Sequence, residues 1–231
     1  MKVVCAFLLS LTVWSGLTVS SALVSPAKAA GTEPRILAFG DSLTAGYGLS
    51  EADGFTAQLA DALAKMGRPA QVINGGVSGD TTAGGLARLD WALSDKPQLM
   101  LLELGANDML RALPPAAART NLEQIIAKAR AADIPILLIG MRAPANLGAD
   151  YKQNFDRIFP DLAKEHNLLF YPFMLDGVAG DSALNQGDGL HPNAKGVAII
   201  VQRILPSVIK LMDQMPKGNE MQKGAAGNDA G

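Results

Sequence analysis

Apolar residues along this chain fall into two alternating patterns, short unbroken runs and longer stretches at helical spacing. Ile36 to Phe39 is an apolar run that reads as a first strand, and Phe55, Leu59, Leu63 and Met66 then mark one face of a helix. Gln71 to Asn74 predicts a short second strand, with Leu86, Leu89 and Leu93 at helical spacing behind it. Leu99 to Leu102 is a third strand. Leu122, Ile125, Ile126 and Ala129 repeat at i, i+3, i+4, i+7, a helical stripe. Ile136 to Ile139 predicts a fourth strand, Tyr151 to Glu165 one further helix, and Leu168 to Tyr171 a fifth strand. A last helix is expected from Ala194 to Met212, capped by Asn193 and kinked at Pro206. Strand and helix alternate throughout, the signature of a parallel sheet covered by helices on both faces. There is no internal repeat.

The two ends break this pattern. Lys2 is a short positive start, Val3 to Leu23 is uncharged and mostly apolar, and Ala27-Lys28-Ala29 has the small-x-small form of a cleavage site. Residues 1–29 therefore read as a secretory signal peptide. An uncleaved anchor is the competing reading, since the run approaches the ~20 residues that cross a bilayer. Ser, Thr and Gly interrupt that run, and the cleavage signature follows it, so no stable membrane anchor is expected after export. Export means the periplasm in a cell with an outer membrane. The expectation is thus one domain over 30–215, large enough for a sizeable core. From Pro216 to Gly231 the chain is Gly-, Ala- and polar-rich without periodicity and reads as a disordered tail.

Composition narrows the chemistry. The full chain carries a net charge of −2, and loss of Lys2 and Lys28 with the leader takes it to about −4, which argues against a nucleic-acid partner. The single cysteine, Cys5, lies in the leader, so the exported part has no thiol nucleophile, disulfide or thiolate metal site. Only His166 and His191 are available to a histidine-dependent mechanism, and two distant histidines do not make a transition-metal site. No Gly-Lys-Ser/Thr follows the glycines between Gly75 and Gly85, and no dinucleotide fingerprint follows the first strand. Thr44 stands where a Gly-x-Ser-x-Gly elbow needs its second glycine. No cofactor and no metal are implied.

In an open parallel sheet, ligands bind at the carboxyl ends of the strands. Gly40-Asp41-Ser42-Leu43 follows the first strand, and Asn74-Gly75-Gly76-Val77-Ser78-Gly79-Asp80 the second. Gly105-Ala106-Asn107-Asp108 follows the third, and Asp188-Gly189-Leu190-His191-Pro192 lies between the fifth strand and the last helix. All four segments fall on one edge of the sheet. Together, in this order, they resemble the four blocks of the SGNH (GDSL) hydrolase family. Ser78 to Thr81, Gly85 to Leu89, Glu103 to Asp108 and Arg142 to Asn146 are similar to the branch containing bacterial thioesterase I, lysophospholipase and arylesterase. The resemblance implies a single flavodoxin-like α/β/α domain with a five-stranded parallel sheet of order 2-1-3-4-5, exported to the periplasm. It also implies an oxyanion hole made by the backbone amides of Ser42 and Gly79 and the side-chain amide of Asn107.

Each residue has a plain reading beside the chemical one. A serine hydroxyl is a weak nucleophile without a base, and Ser42 on its own reads as a turn or cap serine. Histidine titrates near the operating pH and suits the role of base. His191 is the candidate; His166, near a helix end, reads as an ordinary cation at the helix dipole. Asp188, three residues before His191, is placed to hold the imidazole in one tautomer, while Asp176 and Asp181 read as turn-forming or solvated acids. Asp41 and Asp108 read as structural acceptors for loop amides. Gly79 lets backbone approach a substrate without a Cβ in the way.

Met109, Leu110, Leu113, Leu147 and Met174 lie in loops near these segments and either line an apolar acyl or aryl pocket or only pack the loops down. Arg111 and Arg142 are candidates to meet a substrate phosphate or carboxylate, with a solvated arginine as the default. The expected activity is hydrolysis of short to medium acyl esters, aryl esters, acyl thioesters and lysophospholipids by a monomer acting on small molecules. A carbohydrate O-deacetylase is the alternative enzyme, and a non-catalytic periplasmic binding module the alternative of another class.

Overall fold

Five apolar runs become five parallel strands: β1 (Arg35–Gly40), β2 (Gln71–Gly76), β3 (Leu99–Glu103), β4 (Ile136–Ile139) and β5 (Leu169–Tyr171), in the order β2-β1-β3-β4-β5. The structure, a computed structural model, describes residues 33–215; the expected leader over 1–29 and tail over 216–231 lie outside the described residues. β3 and β4 are buried at every position and β1 at all but its first, which is why they read as continuous apolar runs. β2, at one edge, is only partly buried.

Between the strands lie α1 (Ser42–Ala45), α2 (Phe55–Lys65), α3 (Thr82–Leu93), α4 (Ala106–Leu110), α5 (Pro115–Ala131), α6 (Ala149–Asp156), α7 (Ile158–Glu165) and α8 (Ala194–Met212). The path runs from β1 outward to β2, then back past β1 to β3, β4 and β5. Right-handed crossovers therefore place α2 on one face and α3, α5 and α7 on the other. α2 packs with α8, and α3 and α7 pack with α5. This reversal beside β1 is the switch point at which α/β sheets open a crevice.

Leu122, Ile125, Ile126 and Ala129 form the buried stripe of α5 as expected, and Asn193 caps α8 by accepting the amides of Lys195 (3.0 Å) and Gly196 (3.1 Å). α8 runs on through Pro206. Two expectations are corrected. The single helix expected over Tyr151 to Glu165 is two, α6 and α7, joined at Arg157. Pro160 lacks the N–H that would bond back to Asp156, and it sits in the first turn of α7, where a missing donor costs nothing. Met66 is 59% exposed and caps α2 instead of completing its buried face.

Candidate active site

The carboxyl end of β1 passes into α1 through Asp41, whose side chain accepts the Leu43 amide at 3.0 Å and caps the short helix. Ser42 is the first residue of α1 and half-buried. Asp188, in the long connection after β5, accepts the amides of Leu190 (2.9 Å) and His191 (3.0 Å) on one oxygen. Its other oxygen meets His191 Nδ1 at 2.6 Å, and His191 Nε2 lies 2.9 Å from Ser42 Oγ. Three residues from the two ends of the chain thus form one continuous relay. The His191 amide and ring and the Leu190 amide hold Asp188 far below the usual carboxylate range, so it is an anion at any working pH.

Gly79 has φ +84°, a conformation that favours glycine, and its carbonyl accepts from Arg111 Nη2 at 2.8 Å. Asn107, in α4, donates its side-chain amide to the Asp80 carbonyl (2.9 Å) and to Asp41 Oδ2 (3.3 Å). Asp80 is itself held by Arg88, which bonds its carboxylate at 2.5 Å and the Gly40 carbonyl at 2.9 Å while lying 4.2 Å over the Phe39 ring. The first, second and third of the four segments are therefore tied together through Arg88, Asp80 and Asn107. Asp108 is buried and accepts the Thr82 amide (2.8 Å) and hydroxyl (2.6 Å), fixing the start of α3 against α4, the structural role expected of it.

Beneath the Ser42 turn lie two buried acids, Asp41 and Glu103. Glu103 Oε2 accepts the Thr44 hydroxyl at 2.8 Å and the Asp41 amide at 3.4 Å. Gly40 has no room for a side chain, since a Cβ there would come within 2.5 Å of Glu103 Oε2. Burial raises Asp41 to about 6, and burial next to Asp41 raises Glu103 well above the ordinary glutamate value.

The expected substrate residues scatter around this edge. Met109 and Leu110 are in α4, and Leu110 and Leu113 are exposed, while Leu147 is half-buried in a 3-10 turn. Arg142 lies 5.2 Å over Phe173, and Met174 is core. None of them lines the dent beside Ser42, a shallow hollow of about 10 Å³ bounded by Leu43, Gly46, Tyr47, Leu49, His191, Pro192 and Val197. A cleft of about 620 Å³ among α5, α6 and α7 holds none of the relay residues, and its charged walls pair with each other through Arg119–Glu165 and Arg157–Asp161. Glu123, Glu165 and His166 bring ligand-type atoms within 4.8 Å of one another, but Glu165 is already paired with Arg119. Asp176 and Asp181, the turn-forming or solvated acids of the same connection, bond Arg203 and the Ala183 amide respectively.

A serine, a histidine and an anionic aspartate in hydrogen-bond sequence at the switch point of a 2-1-3-4-5 sheet define a serine hydrolase. The family model for the GDSL-like lipase/acylhydrolase family matches residues 38–199, and the chain belongs to that family of ester-hydrolysing enzymes. Among curated relatives, it is 38% identical to the esterase TesA of Pseudomonas aeruginosa over 77% of this chain and 89% of that one. It is 40% identical to thioesterase 1/protease 1/lysophospholipase L1 of Escherichia coli K12 over 68% of this chain and 75% of that one. Among solved structures, AlinE4, an SGNH-hydrolase family esterase, is 48% identical with a TM-score of 0.67, covering 81% of this chain and 99% of that one.

Proposed function

We propose that Ser42, His191 and Asp188 are the triad with which this enzyme cleaves carboxylic ester and thioester bonds. The observation that carries this is the relay of 2.6 Å and 2.9 Å from Asp188 through His191 to Ser42. His191 Nε2 takes the hydroxyl proton as Ser42 Oγ attacks the acyl carbon. Asp188, already an anion, stabilises the imidazolium and keeps Nδ1 protonated in the resting state. The oxyanion meets the amides of Ser42 and Gly79 and the Asn107 side chain, whose longer 3.3 Å bond to Asp41 is the one it exchanges. Collapse leaves the acyl group on Ser42, and water, activated by His191, releases it.

The substrates are short to medium acyl esters, aryl esters, acyl thioesters and lysophospholipids, in keeping with relatives named esterase and thioesterase 1/protease 1/lysophospholipase L1. The enzyme is exported to the periplasm, a reading supported by the leader-like residues 1–29, and works there as a monomer. Among the described residues no helix is long and apolar enough to cross a membrane.

Hydrolysis of p-nitrophenyl esters from acetyl to palmitoyl, acyl-CoA and lysophosphatidylcholine by wild type and Ser42→Ala tests the assignment. Wild type is expected to turn over at least the shorter esters, and Ser42→Ala to lose roughly 10⁴-fold or more. Equal rates in the two proteins would remove Ser42 from the mechanism.

A further inference from the structure

His191 must return its proton to the departing oxygen, so the alcohol side of the substrate lies against the imidazole. The side chain found there is Tyr47, its ring centroid 4.6 Å from that of His191 and tilted by 40°. Tyr47 is 53% exposed, yet its backbone is fastened from both directions. Its amide bonds the Ser42 carbonyl at 3.1 Å. Its carbonyl accepts Gln186 Nε2 at 2.8 Å, and the same nitrogen lies 2.9 Å from the Pro192 carbonyl. The Gln186 amide in turn bonds the His191 carbonyl at 2.7 Å. One glutamine thus locks the Tyr47 turn to the loop that carries the base. An isolated exposed aromatic needs no explanation, but here backbone bonds hold one at a set distance from a proton donor.

We propose that Tyr47, with Leu49, Pro192 and Val197 around the shallow dent, forms a leaving-group subsite that selects esters of aromatic alcohols. This inference rests on the triad reading above. As the tetrahedral intermediate collapses, the bond between acyl carbon and leaving oxygen breaks and the electron pair stays on that oxygen. The Nε2–H of the imidazolium supplies its proton, and the acyl group remains on Ser42 Oγ. An aromatic leaving group at that position packs against the Tyr47 ring, a contact available to it and not to a short alkyl alcohol. The dent is too shallow to enclose a hydrocarbon chain, so it discriminates the alcohol by the exposed ring and leaves acyl length to other residues.

Phenyl acetate and ethyl acetate give the same acetyl-enzyme and differ only in the group that leaves. With the full chain, Tyr47→Leu is expected to lower kcat/KM for phenyl acetate about tenfold, equivalent to about 1.4 kcal/mol, and to change ethyl acetate less than about twofold. Tyr47→Phe keeps the aryl preference, and the ratio of phenyl butyrate to phenyl acetate stays the same in all three proteins. A parallel fall on both acetates would make Tyr47 a mere support for His191 and overturn the subsite, as would an unchanged ratio. Ser42→Ala, assayed beside them, separates the two ideas: wild-type rates in that protein would overturn the triad and the subsite with it. Silence in Ser42→Ala with an unaltered ratio in Tyr47→Leu overturns the subsite alone.

Discussion

The two histidines of this protein have side chains equally exposed, at 21%, and live in opposite circumstances. His191 has a partner on each ring nitrogen, Asp188 on Nδ1 and Ser42 on Nε2, and Tyr47 against its face. His166 ends α7, its Nε2 3.9 Å from the Glu123 carboxylate and buried without a hydrogen bond among the described residues. Both are next to a carboxylate, so neither burial nor an acidic neighbour distinguishes a base from a bystander. What distinguishes them is the second nitrogen. A general base needs one nitrogen fixed by an acceptor and the other aimed at the proton it will take. At His191 the acceptor itself is fixed, because two loop amides bind the Asp188 oxygen that the ring does not use.

The sharpest way to break this comparison is at Asp188. Asp188→Asn keeps the size of the side chain but removes the anion and presents an amide that can favour the wrong imidazole tautomer. The expected loss in kcat is about 10³- to 10⁴-fold, with KM little changed, because the interaction is worth most in the transition state. Steady-state rates on p-nitrophenyl acetate measure it. A loss under tenfold would mean that fixing Nδ1 matters little, and the contrast between the two histidines would lose its basis.

How much of this contrast could be read from the sequence follows from distance along the chain. Asp188 and His191 were legible together because three residues in a tight turn suffice to bring them into contact. Ser42, Gly79 and Asn107 were legible as residues in segments that follow strands, and the parallel sheet gathers such segments on one edge. The core strands were legible because burial on both faces demands unbroken apolar runs. Nothing in periodicity or spacing marks Arg88, Asp80, Glu103, Tyr47 or Gln186 as parts of the site. Arg88 lies on a helix of ordinary pattern, and its hold on Asp80 and Gly40 depends on the angle at which α3 leaves the sheet. Glu103 ends an apolar strand and opens one of the segments that carry the resemblance, but its burial beneath Ser42 follows from an acid at a position the sheet buries. Tyr47, flanked by Gly46 and Gly48, was an aromatic in a loop that no periodicity could place. The division of the helix at Arg157 was legible in principle, since Pro160 marks it.

The buried acids under Ser42 sharpen the comparison from below, since charge there is opposed by burial, whereas Asp188 is held charged. Asp41, raised to about 6, faces Glu103, Asp80 and His191, and Glu103, raised well above its ordinary value by burial beside Asp41, faces Asp41 and Thr44. In the folded state both keep protons that the unfolded chain gives up near its ordinary values of 3.8 and 4.5. The folded protein therefore loses stability as pH rises from about 4 through those raised values. Among the described residues no donor reaches the buried Glu103 Oε1, which fits a neutral acid there. Glu103→Gln imitates that neutral acid. It is expected to raise Tm by a few degrees at pH 8 and to match wild type near pH 4, with kcat within about threefold, in thermal melts across that range. A variant less stable than wild type at pH 8 would show that Glu103 is held as a carboxylate.

The smallest effect is expected at the other histidine. His166→Gln replaces an imidazole that makes no side-chain hydrogen bond among the described residues with an amide that cannot act as a base, and leaves in place the backbone carbonyl that accepts Arg130 at 3.4 Å. Rates on every ester should stay within about twofold. The measurement is worth making because the alternative is specific. A tenfold loss of kcat would require a proton to pass through His166, and no described hydrogen bond connects its ring to Ser42. Equal losses at both histidines would therefore mean that the ring at His191 is not sufficient as base. The distinction drawn from the second nitrogen would then fail at the residue where it is easiest to test.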